Sequence, residues 1–340
     1  MVDRSHISVR EALEQISGRR VFVVGDAVLD TYLYGETVRV SREAPVLVVR
    51  KERMDYRLGG AANTAANLAA LGVRTSLIGV VGSDAAAKQL RAMLEDKRVD
   101  TTHLVEAPGA TPNKMRILAG AFGTARQQVL RIDDEPRAAA SLVNHPVASL
   151  LRNYAAGVDA IILSDYSQGS IDASVIAAAR ELSAAGHLVC VDSRQRLASF
   201  VGASAVTPNI PEAEALVGFA LTDSDAVARA GRQIVAELEC RHCLLKQGRA
   251  GMSLFGSDGN VEHVAIVGED EVADVTGAGD TVIAVFAAGL AAGLGAGNAM
   301  RLANCAAGVV VTKIGTASAS PEEIVNAARR AGMELGIWPG

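Results

Sequence analysis

The chain has 340 residues, of which 49% are hydrophobic, 21% charged and 4% aromatic, with a formal net charge of −5 at neutral pH. That length and apolar content suffice for a large buried core and exclude wholesale disorder. The acidic balance and the scarcity of rings exclude a basic or base-stacking nucleic-acid face, so any recognition of phosphate has to be local.

Near the N-terminus, Ser8-Val9-Arg10-Glu11 spells a capping box for a short amphipathic helix, and no apolar stretch follows the basic residues as a secretion signal requires. Residues 21–24, a Val/Phe run ahead of Gly25-Asp26, read as a buried first strand. Residues 32–40 and 46–58 mix Val, Tyr and Arg with polar residues, which is the pattern of exposed antiparallel strands. Gly59-Gly60 breaks that pattern, and 61–71 reads as a helix stopped by Gly72.

Strands and helices then alternate. Residues 76–81, 159–163 and 188–192 read as strands, and 85–96 and 174–184 as helices, which implies βαβ units and a mainly parallel, helix-covered sheet. The alternation is interrupted at 114–118 and 128–132 by a second antiparallel pair. The two β insertions can come together as one small lid on an otherwise α/β chain. Cys240 and Cys243 form a CxxC, but it closes a helical stretch at 226–238 and enters a strand, with only His242 and His263 nearby. It reads as ordinary thiols of a reducing cytoplasm rather than a zinc or redox pair. Residues 281–300 carry no charge, yet their alanines and glycines suit a buried core helix better than a membrane span.

The strongest chemical signal directly precedes that uncharged segment: Asp274-Val275-Thr276-Gly277-Ala278-Gly279-Asp280. Glycines at a helix N-terminus let the backbone approach an anion, and the unpaired N–H groups and the helix dipole make an anion hole. A carboxylate beside such a hole would repel a phosphate. It makes sense if Asp280 takes the proton of a hydroxyl that attacks a phosphoryl group. The dipole should favour its charged form, which would make it a weak base chosen for its position. No Gly-x-x-x-x-Gly-Lys-Ser/Thr loop and no Gly-x-Gly-x-x-Gly fingerprint occurs, which excludes P-loop and dinucleotide-binding readings.

Together with Gly59-Gly60-Ala61-Ala62-Asn63 and Thr207-Pro208-Asn209-Ile210-Pro211-Glu212, that motif resembles the ribokinase-like (PfkB) sugar kinases over nearly the whole chain. Within that family the chain is most similar to D-glycero-β-D-manno-heptose 7-phosphate kinases, including the kinase half of bifunctional ADP-heptose synthesis proteins. The stretches that carry this likeness are Gly25 to Asp30, Glu43-Ala44-Pro45-Val46, Leu163-Ser164-Asp165-Tyr166 and Asn304 to Val311 with Gly315-Thr316.

The resemblance implies one ribokinase-like α/β domain over 1–340: a mostly parallel sheet flanked by helices, with a small antiparallel β lid formed by about 31–58 and 111–133. It implies ATP and Mg²⁺, with a monovalent-cation requirement left open, and a cytoplasmic enzyme that joins neither nucleic acid nor membrane. The acceptor would be a sugar phosphate, phosphorylated at its anomeric hydroxyl to heptose 1,7-bisphosphate on the route to ADP-heptose and lipopolysaccharide. Another phosphosugar, fructose or ribose is the alternative acceptor, and a non-catalytic sugar or nucleotide sensor the alternative class. No nucleotidyltransferase-like segment occurs in the 340 residues, so a stand-alone kinase is expected, paired with a second copy through the lid.

By the same likeness Gly277, Ala278, Gly279 and Asp280 supply the anion hole and the base, and Asp30, Gly59, Gly60 and Asn63 meet the sugar. Asn209 and Glu212 organise Mg²⁺ near the phosphates, Glu212 through water. Lys246, Gly248, Gly251, Thr276 and Asn304 line the nucleotide site. Lys114 and Arg116, two apart on a lid strand and so on one face, clamp the acceptor's phosphate, with Arg131 as a third cation. The chain departs from the pattern in three places. Gln168 stands where a Lys is expected, Ser193-Arg194 where Pro-Lys is expected, and the lid segment 119–126 is longer.

Overall fold

A computed structural model describes residues 7–121, 125–135, 145–268 and 273–332. The chain opens with α1 (Val9–Ile16), whose N-terminus is closed by the expected box: Ser8 accepts from the Glu11 amide while Glu11 accepts from the Ser8 amide. Next come β1 (Arg20–Gly25), β2 (Ala27–Val40), β3 (Leu47–Gly60), α2 (Ala61–Ala70), β4 (Arg74–Val81), α3 (Ala85–Asp96) and β5 (Leu104–Glu106). They are followed by β6 (Asn113–Gly120), β7 (Gln127–Asp134), α4 (Val147–Tyr154), β8 (Ala160–Asp165), α5 (Ala173–Ala184), β9 (Val189–Ser193) and β10 (Ala205–Val206). The last third holds α6 (Ile210–Val217), α7 (Ser224–Glu237), β11 (His242–Lys246), β12 (Met252–Gly256), β13 (Val261–Val264), α8 (Ala278–Ala291), α9 (Ala296–Val310) and α10 (Pro321–Arg330).

Nine strands form one sheet in the order β13-β12-β11-β10-β9-β8-β1-β4-β5. All neighbours from β11 to β5 are parallel, and β12 and β13 finish it as antiparallel strands. β1 and β8 are buried along almost their whole length, which explains their unbroken apolar runs. One apolar cluster packs on each face of the sheet: Phe22, Val24, Ile161 and Leu163 point into one, Val21, Val23, Ile162 and helix α8 into the other.

A second sheet takes the order β3-β2-β6-β7. The two antiparallel pairs expected at the insertions are β2 with β3 and β6 with β7, and a parallel pairing of Leu29–Glu36 with Asn113–Gly120 joins them. β2 leaves the core at Ala27 and is buried to Tyr32, so it carries Asp30 at the seam between the sheets. Of the segment 119–126, residues 122–124 lie outside the described residues.

The uncharged stretch 281–300 is not one helix. α8 ends at Ala291 and α9 begins at Ala296, and the two pack against each other in the core. All four cysteines are buried thiols, and burial pushes the Cys240 thiol up to about 12. Among the described residues no helix is long and apolar enough to cross a membrane.

Candidate active site

The Gly-rich motif starts α8. Gly277 is its N-cap at φ +83°, a left-handed backbone that a side chain would strain, and an added Cβ would lie 2.7 Å from the Asn63 amide nitrogen. The Ala278 amide donates back to the Val275 carbonyl at 3.3 Å. The amides of Gly279 and Asp280 are left facing out of the first turn.

Asp280 is 2% exposed. The Tyr166 hydroxyl donates to its Oδ1 at 2.6 Å, and Asn63 Nδ2 donates to its Oδ2 at 2.8 Å. Burial pushes its pKa from 3.8 up to about 6, against the pull of the Tyr166 and Asn63 hydrogen bonds and of Lys246, with Asp192 adding to the rise. The weak base expected from the helix dipole is thereby corrected: removal from water outweighs the dipole, and the group is poised near neutrality. Burial and the Asp280 and Asp192 charges hold Tyr166 well above its ordinary range, so it remains a donor.

On one side of Asp280 lies the seam with the small sheet. Asp30 is buried there, and its Oδ1 accepts from Arg116 Nη1 at 2.5 Å. Gly59 stands diagonally across on β3, opposite Val28, where a Cβ would come within 2.5 Å of Asp30 Oδ2, so only glycine leaves that oxygen its place. Gly60 follows as the N-cap of α2, which sets Asn63 in the helix's first turn. Lys114 Nζ lies 5.6 Å and the Arg194 guanidinium 4.2 Å from the centre of the Tyr166 ring. Lys114 is held below its ordinary pKa by burial and by the Arg194 charge. Two of the three expected clamp cations are thus at the seam, Arg116 in a pair with Asp30. Arg131 is committed elsewhere, donating to both carboxylate oxygens of Asp133 at 2.7 and 2.6 Å.

On the other side a cavity of about 450 Å³ opens. Of the residues expected at the nucleotide, Asn209, Lys246, Gly248, Gly251 and Asn304 line it, together with Ala278 and Gly279. Most of the remaining wall is apolar, from Met252, Ile266, Val282 and Val311. Asn304 braces the wall by donating to the Ala265 carbonyl at 2.7 Å. Thr276 is turned away, its hydroxyl and amide both donating to Asp274. Glu212 accepts from the amide and the side chain of Asn209 at 2.9 Å, closing a capping box on α6, and burial raises its pKa against the pull of Lys246.

Four residues central to this geometry had no role assigned from sequence. Tyr166 holds Asp280. Asp192 accepts from Lys246 Nζ at 2.6 Å and from the Thr207 hydroxyl at 2.8 Å. Asp26, buried, accepts from the amides of Tyr166, Gln168 and Ser170 and so fixes the loop that delivers Tyr166. Arg194 stacks on the Tyr166 ring. The Gly25-Asp26 pair and the departure at 193–194 were the available signals. At Gln168 the loop is held through its main-chain amide, which is indifferent to the side chain that departs from the pattern.

A family model described as pfkB family carbohydrate kinase matches residues 19–323. Among curated relatives, the bifunctional protein HldE of Citrifermentans bemidjiense is 41% identical over 324 residues, covering 93% of this chain and 65% of that protein. HldE of Halorhodospira halophila is 42% identical over 308 residues, covering 90% of this chain and 62% of that protein. The chain therefore spans less than two thirds of the length of these relatives. Among solved structures, phosphofructokinase-2 from Escherichia coli with substrates and products superposes with a TM-score of 0.74 at 19% identity, covering 93% of this chain and 99% of that one. Arabidopsis thaliana ribokinase complexed with ribose and ATP gives 0.71 at 21% identity, covering 91% and 98%. At that identity the structural likeness speaks for the fold.

Proposed function

The chain belongs to the pfkB family of carbohydrate kinases, and from that premise we propose that it transfers the γ-phosphoryl group of ATP to the anomeric hydroxyl of D-glycero-β-D-manno-heptose 7-phosphate. The observation that carries this reading is the placement of Asp280. It is buried at the start of α8, next to Gly279 in the wall of the cavity that Lys246, Gly248, Gly251 and Asn304 also line, and it is held by Tyr166, whose ring lies beside Lys114 and Arg194. ATP occupies the cavity, with its phosphates toward the Gly279 and Asp280 amides. The sugar lies at the seam, where Asp30 accepts from its hydroxyls.

Asp280 takes the proton as the anomeric oxygen bonds to the γ-phosphorus. The bond from that phosphorus to the β–γ bridging oxygen breaks, and its electron pair leaves on ADP. Tyr166 and Asn63 hold both carboxylate oxygens, fixing the base in place without themselves accepting the proton. Substrate must take Asp30 from Arg116, and that exchange frees a guanidinium beside Lys114 and Arg194 to meet the acceptor's phosphate.

Among the described residues no three His, Cys, Asp or Glu side chains are arranged to hold a metal ion directly, and Glu212 is already engaged with Asn209. The donor set therefore suits a hydrated Mg²⁺ held by phosphate oxygens, with Glu212 and Asn209 as outer partners; when bound, the ion neutralises phosphate charge.

Closure of the small sheet over the sugar would exclude water and limit futile hydrolysis. The same sheet exposes Val38, Val40, Val46 and Leu47 and, on β7, Val129, Leu130 and Ile132, a surface suited to a second copy of the chain. With ATP as its donor, the enzyme would work in the cytoplasm. A coupled assay of ADP release against heptose 7-phosphate, fructose 6-phosphate, fructose and ribose tests the reading. Preference for heptose 7-phosphate supports it, and release with no sugar at all overturns it.

A further inference from the structure

Lys246 stands where the cavity, the first turn of α8 and the carboxylates of the site meet. It ends β11, lines the cavity, and its side chain is 14% exposed. A Cβ built on Gly279 would lie 3.3 Å from its Nζ, so the ammonium is packed against the turn whose amides face outward. Its hydrogen-bond acceptor is Asp192 at 2.6 Å, itself held by Thr207. Glu212 and Asp280 also act on it from α6 and α8. Burial opposes its charge, but the carboxylates outweigh that and keep it protonated above its ordinary pKa. A lysine retained only to neutralise Asp192 could be sealed in the core, whereas this one opens onto the cavity.

We propose that Lys246 is a catalytic residue that binds the transferring phosphoryl group. This rests on the kinase reading. As the acceptor oxygen bonds to phosphorus and the bridging bond breaks toward ADP, with the proton on Asp280, Lys246 stays protonated. One N–H stays on Asp192 while the others meet the non-bridging oxygens, beside the Gly279 and Asp280 amides. A compact fixed charge there stabilises the transition state without reorganising. It also makes the site distinguish a nucleoside triphosphate from a diphosphate.

Three variants test this: Lys246→Met, Lys246→Arg, and Lys246→Met combined with Asp192→Asn, which removes both charges of the buried pair so that folding is preserved. Calorimetric affinities for AMP-PNP and ADP are measured with no sugar present, beside melting temperature and kcat. Loss of one positioned donor typically lowers kcat by about 10²- to 10³-fold. Lys246→Met and the double variant should both show a fall of that size, and AMP-PNP binding should weaken about tenfold more than ADP binding. Lys246→Arg should retain the triphosphate preference. The acid limb of the wild-type kcat/KM profile should also move to higher pH in Lys246→Met, since Tyr166, Asn63, Asp192 and Lys246 act on Asp280 and the cation among them is gone, and should move back in the double variant, where the Asp192 charge that raises Asp280 is lost too. Equal loss of AMP-PNP and ADP affinity, or near wild-type kcat in a folded double variant, would overturn the proposal and leave Lys246 an ion-pair partner. The nucleotide measurements need no acceptor, so a wild type that phosphorylates no sugar would refute the kinase reading separately.

Discussion

Asp280→Asn separates two consequences of burying a carboxylate at the start of α8. In the native state the group titrates at about 6 rather than at its ordinary 3.8. Below pH 3.8 it is neutral in both the folded and unfolded chain and favours neither. Between those values the unfolded chain ionises first and is stabilised, and above pH 6 the native state carries the full penalty. At about 1.36 kcal/mol per pH unit this amounts to roughly 3 kcal/mol, of which roughly 2 develop between pH 4.5 and 7.5. The Asn side chain does not titrate, and whatever its mismatch against the Tyr166 and Asn63 donors costs is independent of pH. Urea unfolding followed by circular dichroism across that range should therefore show the variant gaining on the wild type by about 2 kcal/mol as pH rises. Turnover should fall by about 10²- to 10⁴-fold while ADP affinity holds. A stability difference that stays flat with pH would refute the burial argument, and near-normal turnover would remove Asp280 from the base role.

Three further outcomes follow from the same geometry. The kcat/KM of the wild type should fall with unit slope below about pH 6, because Asp280 must be unprotonated in the free enzyme; a flat profile down to pH 5 contradicts this. Gly59→Ala sets a methyl group 2.5 Å from Asp30 Oδ2, and should raise the sugar KM about tenfold with no change in ADP affinity; an unchanged KM would place the sugar elsewhere. Lys114→Ala should weaken a phosphorylated acceptor by about 1.5–3 kcal/mol, or 10- to 100-fold, and a sugar lacking the terminal phosphate much less. Equal losses on both acceptors would dismiss the clamp.

What could be read from the sequence was local. The anion-binding turn at Gly277–Asp280 depends on glycines and a helix dipole that adjacent residues supply, and the Asn209–Glu212 box spans three positions. The sheet alternation followed from runs such as 21–24 and 159–163. The groups that decide the chemistry meet across long separations: Tyr166 and Asp280 are 114 residues apart, and Asp192 and Lys246 are 54 apart. No spacing rule joins such pairs. The protonation of Asp280 was misread for a related reason, since the dipole is visible in a motif while burial by Asn63, Tyr166 and the core is not. Arg131 and Arg116 sit directly opposite on β7 and β6, yet an acid two residues along the exposed strand captures one and a buried acid on β2 captures the other. That choice depends on the depth of each side chain, which alternation alone does not encode.

Phosphoryl transfer by this chain requires Asp280 to lie between a nucleotide and a carbohydrate. A crystal structure with ADP and heptose 7-phosphate bound together tests this most directly. The adenine should fill the cavity beside Asn304, and the anomeric hydroxyl should hydrogen-bond to the Asp280 carboxylate with Asp30 on neighbouring hydroxyls. A sugar bound with its anomeric oxygen turned away from Asp280, or one absent from the seam between the two sheets, would contradict it.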